Sequence, residues 1–208
     1  SVTTQHYSFA VNAFVDLVKK YNTDDYDLTL RETRTFEIIN DVRTLKSEVG
    51  ILYFSDFNEK VIQKYLAESD LVFEELYTAQ PHIFVSKKNP LSQKEKVTVG
   101  ELEDLVCLSF EQGEYNSLYF SEELLSTRDT KKSIKVSDRA TLFNLLIGLN
   151  GYTVCSGIIS KELNGKDIVS IPLVSDESMR IGIIVKKNIL KSALCEEYVA
   201  FLRKHTHN

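Results

Sequence analysis

A chain of 208 residues with 43% hydrophobic content can bury a real core and is long enough for two small lobes around one hinge, which excludes a disordered chain. Its 25 basic residues stand against 30 acidic ones, and the net charge of -5 has the wrong sign for holding nucleic acid through its phosphates. Cys107, Cys155 and Cys195 are odd in number and far apart, which argues against a disulfide framework or a CxxC-type metal site, and no apolar run approaches the ~18 residues of a membrane span.

Ser1-Val2 reads as the end of a strand. From residue 5 to 21, Ala10, Phe14, Leu17, Val18 and Tyr21 follow one helix face, and residues 27–32 then alternate as a strand through Leu28 and Leu30. Ile38, Ile39, Val42 and Leu45 mark a second helix, and residues 49–54 a strand buried on both faces. Val61, Ile62, Tyr65 and Leu66 predict a third, shorter helix before a strand over residues 71–76. This βαβαβ run predicts a parallel sheet with right-handed crossovers.

Pro81-His-Ile-Phe-Val-Ser-Lys-Lys-Asn-Pro-Leu91 is an apolar strand followed by a polar turn closed by Asn-Pro. Thr98 and Glu101 then form a Thr-x-x-Glu capping box, the signature of a helix start. Further strands are expected at residues 106–110, 134–137, 152–155 and 168–171, with helices at 117–126 and 139–149. Residues 179–186 form a long apolar strand able to return the chain to the first lobe, and a last helix over 191–204 places Leu194, Tyr198, Phe201 and Leu202 on one side. No repeat or flexible linker interrupts the pattern. The expected fold class is α/β, two Rossmann-like lobes joined by crossover strands: lobe one over 1–82 with 180–208 returning to it, lobe two over 83–179. Hinge closure around a ligand is the motion such a plan implies.

Open α/β sheets leave a crevice at strand ends, where helix N-termini direct free amides. At Val2-Thr3-Thr4-Gln5, Thr3, Thr4 and Gln5 offer hydroxyl and amide donors to an anionic oxygen; Thr3 or Thr4 would equally serve as a helix cap. Thr33 and Thr35 flank Arg34 at the second junction, with Arg34 expected in solvent or in a salt bridge. Ser109 follows the lobe-two strand, with Glu111 expected to face solvent. Ser137 and Thr153 are further candidates, each either a ligand contact or a cap or strand hydroxyl. Catalytic and metal motifs (G-x-S-x-G, GxxxxGK[ST], H-E-x-x-H) are not present, nor is a cofactor motif. His6 is placed in the first turn of helix one, in a surface or ligand-orienting role; His82 starts a strand, His205 and His207 lie in the tail, and Cys155 is expected to be structural.

The 81–91 stretch, with Val97-Thr-Val-Gly-Glu-Leu102 and Val106-Cys-Leu-Ser-Phe110, resembles the effector-binding domain of LysR-type transcriptional regulators. There a strand ending in a His-Pro-Leu turn precedes a valine-threonine-leucine helix start and another strand; Asn89 stands here for the His. Val136-Ser-Asp-Arg-Ala-Thr-Leu-Phe-Asn-Leu-Leu-Ile-Gly148 and Gly151-Tyr-Thr-Val-Cys155 look like the family's helix, glycine turn and strand, with the glycines one residue further apart than usual and Ser156 in place of a common Pro. The order of segments fits from residue 1 to about Phe201. The resemblance implies a type 2 periplasmic-binding-protein-like fold that binds a small, anionic metabolite, without catalysis. It implies that Thr3, Thr4 and Gln5 touch the effector, with a hydroxyl from Thr33 or Thr35 in the same task. It also implies an upstream winged helix-turn-helix that reads DNA, a cytoplasmic protein without membrane contact, a homodimer of this domain and a tetramer of the full-length regulator. Helix one and the edge strand near Leu28 are the expected interface. A solute-binding protein, or an enzyme such as a transferase, is the alternative on the same fold.

Overall fold

The computed structural model describes residues 1–21, 25–115, 117–160 and 164–206. Its first sheet is ordered β2-β1-β3-β11-β4, from β1 (Val2–Thr4), β2 (Leu30–Glu32), β3 (Val49–Phe54), β4 (Leu71–Ala79) and β11 (Met179–Lys186). Strand β1 is parallel to β2 and β3, pairing Thr3 with Arg31 and with Gly50. The parallel expectation therefore describes β1 to β3, and the returning strand changes the rest: β11 lies between β3 and β4, antiparallel to both.

The apolar run of β3 has two faces because successive side chains leave a strand on opposite sides. Val49, Ile51 and Tyr53 join a core with Phe9, Ala10, Ala13 and Leu17 of α1 (Ser8–Lys20) and Tyr198 and Leu202 of the last helix, here α5 (Ala193–Thr206). Leu52 and Phe54 join a second core with Ile38 and Val42 of α2 (Thr35–Arg43) and Ile62 and Leu66 of α3 (Glu59–Glu68). A Cβ at Gly50 would lie 2.7 Å from Ile38 and Ile184 side chains, so only glycine lets α2 press this closely onto the sheet.

The second sheet is ordered β6-β10-β5-β9-β7-β8, from β5 (His82–Ser86), β6 (Val97–Thr98), β7 (Cys107–Phe110), β8 (Ser133–Val136), β9 (Tyr152–Cys155) and β10 (Ile168–Val174). On one face Phe84, Leu108 and Ile168 pack under Leu142 and Leu146 of α4 (Arg139–Leu149). The chain passes between the sheets twice, after Ala79 and after Val174, and the Leu173 amide bonds the Pro81 carbonyl at 2.9 Å beside both crossings. Asn89, buried in the turn after β5, accepts from the Leu91 amide at 2.9 Å and donates to the carbonyl of Asn150, the left-handed C-cap of α4, at 3.0 Å.

Several boundaries differ from the periodicity. Helix α1 begins at Ser8 rather than residue 5, with Tyr7 at the N-cap, so Thr3 and Thr4 belong to the strand and do not cap it. Leu45 stands at φ 59, beyond the end of α2. The Thr98–Glu101 capping box is formed, but it opens a single 3-10 turn, Val99–Leu102, because β7 begins five residues later. The helix expected over 117–126 is replaced by a 3-10 turn at Leu118–Phe120 and irregular chain, since this backbone crosses to lobe one and Leu125 adopts φ 61.

Candidate functional site

Strand β1 delivers the chain into a tight turn ahead of α1. The Gln5 amide bonds the Ile51 carbonyl at 3.0 Å and the Tyr7 amide bonds the Gln5 carbonyl at 2.7 Å. The His6 amide is left facing the other lobe, where it donates to Glu122 Oε2 at 2.9 Å. The same oxygen lies 2.8 Å from His6 Nδ1, and the imidazole stacks on Phe110 with centroids 3.7 Å apart. A carboxylate on exposed backbone amides before a helix is the placement the peptide dipoles favour.

From there a hydrogen-bond circuit runs through both lobes. Tyr7 Oη donates to Gln5 Oε1 at 2.9 Å, and Gln5 Nε2 to Thr35 Oγ1 at 2.6 Å. Thr35 Oγ1 donates to the Phe120 carbonyl at 2.8 Å, while its amide, at the start of α2, donates to Gln112 Oε1 at 3.1 Å. Gln112 Nε2 reaches Glu122 Oε1 at 3.3 Å. A single lobe-two segment, residues 110–123, thus engages both strand-to-helix junctions of lobe one. Around it, Arg34 pairs with Glu111 and Glu37, and Phe36 and Phe57 stack on Tyr115 and Tyr119. Glu111 is therefore a cross-lobe partner of Arg34 and not a solvated side chain.

Two groups beside the circuit have altered acidity. Glu123 accepts from the Phe110 amide at 2.8 Å, and burial, reinforced by Glu122, pushes its carboxyl up to about 8. Arg139 opens α4 behind Asp138, whose Oδ1 caps the Thr141 amide at 2.8 Å. Its guanidinium crosses to Ser8 Oγ at 3.2 Å and to Glu32, and burial pushes it down to about 10.

These residues enclose a cavity of about 40 Å³ lined by Tyr7, Phe84, Glu123, Arg139, Phe143 and Thr153. A second cavity of about 140 Å³, lined by Ser109 and Gln112 among others, shares Phe110, Glu123 and Val154 as walls. One water needs roughly 10–15 Å³ by this measure, so the first cavity, which lies between the lobes, has space for a few waters only, and a metabolite enters it only after the lobes part.

The structure brings Gln5, Thr35 and Thr153 to the circuit or the cavity, and Ser109 to the neighbouring one. It turns Thr3 away, toward Asp41 (3.3 Å) and Ser47 beneath α2. Thr4 Oγ1 bonds the Gln5 carbonyl at 2.7 Å, Thr33 bonds Glu37, and Ser137 is exposed. His6 lies in the turn before α1, largely buried on Glu122, and not in the helix. Glu122, Glu123, Gln112 and Arg139 were not among the expected site residues. Their one signal is an adjacent pair of acids inside the otherwise apolar run Leu118-Tyr-Phe-Ser-Glu-Glu-Leu-Leu125. Among the described residues no group of three His, Cys, Asp or Glu is placed to hold a metal, and no helix is long and apolar enough to cross a membrane.

Two sheets joined by two crossings, with a cavity at their strand ends, define a type 2 periplasmic-binding-like ligand domain. The family model described as the LysR substrate binding domain matches residues 6–207, and the chain belongs to that family. It is the effector-binding domain of a LysR-type transcriptional regulator rather than an enzyme. Among solved structures, the reduced OxyR regulatory domain from Pseudomonas aeruginosa is similar at TM-score 0.66 and 15% identity, covering 98% of this chain and 96% of that one. The effector binding domain of QuiR in complex with shikimate gives TM-score 0.62 and 15% identity over 99% and 96%. The regulatory domain of MetR from N. meningitidis gives TM-score 0.63 and 8% identity over 98% and 91%. No curated protein matches the chain.

Proposed function

We propose that this domain senses a small molecule held between lobe one, residues 1–82 with 180–208, and lobe two, residues 83–179, at the turn formed by His6, Tyr7 and Ser8. The observation that carries the reading is the circuit through Gln5, Thr35, Gln112 and Glu122, because its polar groups come from both lobes and a ligand at that seam alters closure directly. A ligand shifts the equilibrium between open and closed forms only by its difference in affinity for the two. Closure is then read by a winged helix-turn-helix elsewhere in the intact cytoplasmic regulator, through side-by-side pairing of this domain into a dimer and of the full-length protein into a tetramer, with α1 and the edge strand β2 at the contact.

Among the expected residues, Gln5, Thr35, Ser109 and Thr153 are the direct contacts in this reading; Thr3, Thr4 and Thr33 shape the turns, and Ser137 precedes the α4 cap. The QuiR effector binding domain, similar in fold, is in complex with shikimate, which supports a small polar ligand in this reading.

The test is a thermal-shift screen of the domain against sulfate, phosphate, small carboxylates, amino acids and aromatic acids, followed by amide hydrogen exchange with each hit. Slowed exchange at His6, Tyr7 and Ser8 together with Phe110 is expected. Protection confined to one lobe, or elsewhere, refutes the assignment.

A further inference from the structure

The walls of the interlobe cavity carry acidic groups on one side and a basic group on the other. Glu122 and Glu123, each 7% exposed, project from the lobe-two segment, and both line the cavity. The Arg139 guanidinium lines it too, reaching Ser8 at the start of α1. Thr153, 4% exposed, lines the same cavity, and its hydroxyl has no hydrogen-bond partner among the described residues. A ligand can therefore bond this hydroxyl without displacing a protein partner.

Ligands with a single charge meet opposition here. A simple anion placed on the His6 amide must displace the Glu122 carboxylate that already occupies it. A simple cation satisfies the Glu122 carboxylate, and Glu123 once its proton leaves, but faces Arg139, whose one carboxylate partner among the described residues is Glu32 of lobe one. A molecule with an ammonium and a carboxylate a few bonds apart meets both walls in their preferred sense. Phe84, Phe143 and Met179 give the cavity an apolar floor suited to a short aliphatic side chain once the lobes part.

Building on the proposed interlobe sensor site, we infer that the effector is a small zwitterion of the amino-acid class, its ammonium held by Glu122, Glu123 and Thr153 and its carboxylate by Arg139 and the amide end of α1. Glu122 then has two states. Without ligand it closes the circuit on His6; with ligand it keeps one oxygen on Gln112 and turns the other to the ammonium.

The experiment is isothermal titration of the domain, freed of carried-over ligand by unfolding and refolding, with the standard amino acids and with acetate and ethylamine as one-charge controls. At least one amino acid is expected to bind, with acetate and ethylamine silent at the same concentrations. Glu123→Gln keeps the shape and the acceptor for the Phe110 amide, and is expected to weaken that amino acid at least tenfold while circular dichroism stays native. Glu122→Gln is expected to do the same. Silence from every amino acid, acetate binding as tightly as the amino acid, or unchanged affinity in both Glu variants overturns the inference. If another metabolite protects His6 to Ser8 and Phe110 while all amino acids fail, the sensor reading stands and only the ligand class falls.

Discussion

Replacing Glu123 with Gln tests whether the segment between the lobes carries a neutral carboxyl. In the folded chain the group is held at about 8 against its ordinary 4.5, with burial the main cause and Glu122 the second. Between those values the folded state keeps a proton that the unfolded state has released, so stability falls as pH rises from about 4.5 to about 8 and is flat above. At about 1.36 kcal/mol per pH unit, the full effect is on the order of 5 kcal/mol. For a chain of this size 1 kcal/mol moves Tm by roughly 2–4 °C, so this single group lowers Tm by roughly 3–5 °C per pH unit inside the window. Gln lacks the titration, and any change in packing it brings is independent of pH. Thermal unfolding followed by circular dichroism from pH 5 to pH 9 should give curves for the two proteins that lie nearest at pH 5 and diverge toward pH 8. The variant should end on the order of 10 °C higher, relative to its offset at pH 5. Parallel curves across the range would mean that the folded state carries a charged Glu123, and the argument from burial would fail.

Arg139→Met removes the charge but keeps an unbranched apolar stem, leaving Glu32 without its cross-lobe partner; we expect a loss of about 2–3 kcal/mol in urea unfolding, largely recovered in the double variant with Glu32→Gln. Thr35→Val strands the Gln5 amide group and the Phe120 carbonyl, with an expected loss of about 2–3 kcal/mol and faster amide exchange through residues 117–121. Gly182→Ala places a Cβ 2.5 Å from the Glu74 carbonyl oxygen and the Phe73 ring, and since backbone cannot yield cheaply, a loss of about 2–3 kcal/mol is expected, against a change within about 0.5 kcal/mol for Gly100→Ala, which meets nothing within 4 Å.

Particular elements show what a linear pattern conveys. Strand β3 is legible because six apolar residues in a row need cover on both faces, and α1, α2 and α3 announce themselves through their apolar spacing. The capping box is legible too, whereas the turn type it opens is set by the distance to β7. The stretch 117–126 has the composition of a helix but spends its backbone on lobe one, and that demand comes from Thr35, 85 residues away. Gln5 and Thr35 can be singled out from sequence because strand-to-helix junctions are local, and the structure joins them by a hydrogen bond. Glu122 lies 116 residues from His6 and Arg139 131 residues from Ser8, and no spacing rule reaches that far.

The placement of β11 sets an order of events during synthesis. Strands β3 and β4 never touch as neighbours, and both wait for Met179–Lys186 to pair them. All six strands of the second sheet lie between His82 and Val174 and have left the ribosome by then. The lobe whose strands come first is therefore finished last, and until Met179–Lys186 emerges it exposes two unpaired edges over an apolar core. A nascent chain that has extruded residues up to Val174 but not yet Met179 can complete the second sheet while the first still lacks its central strand.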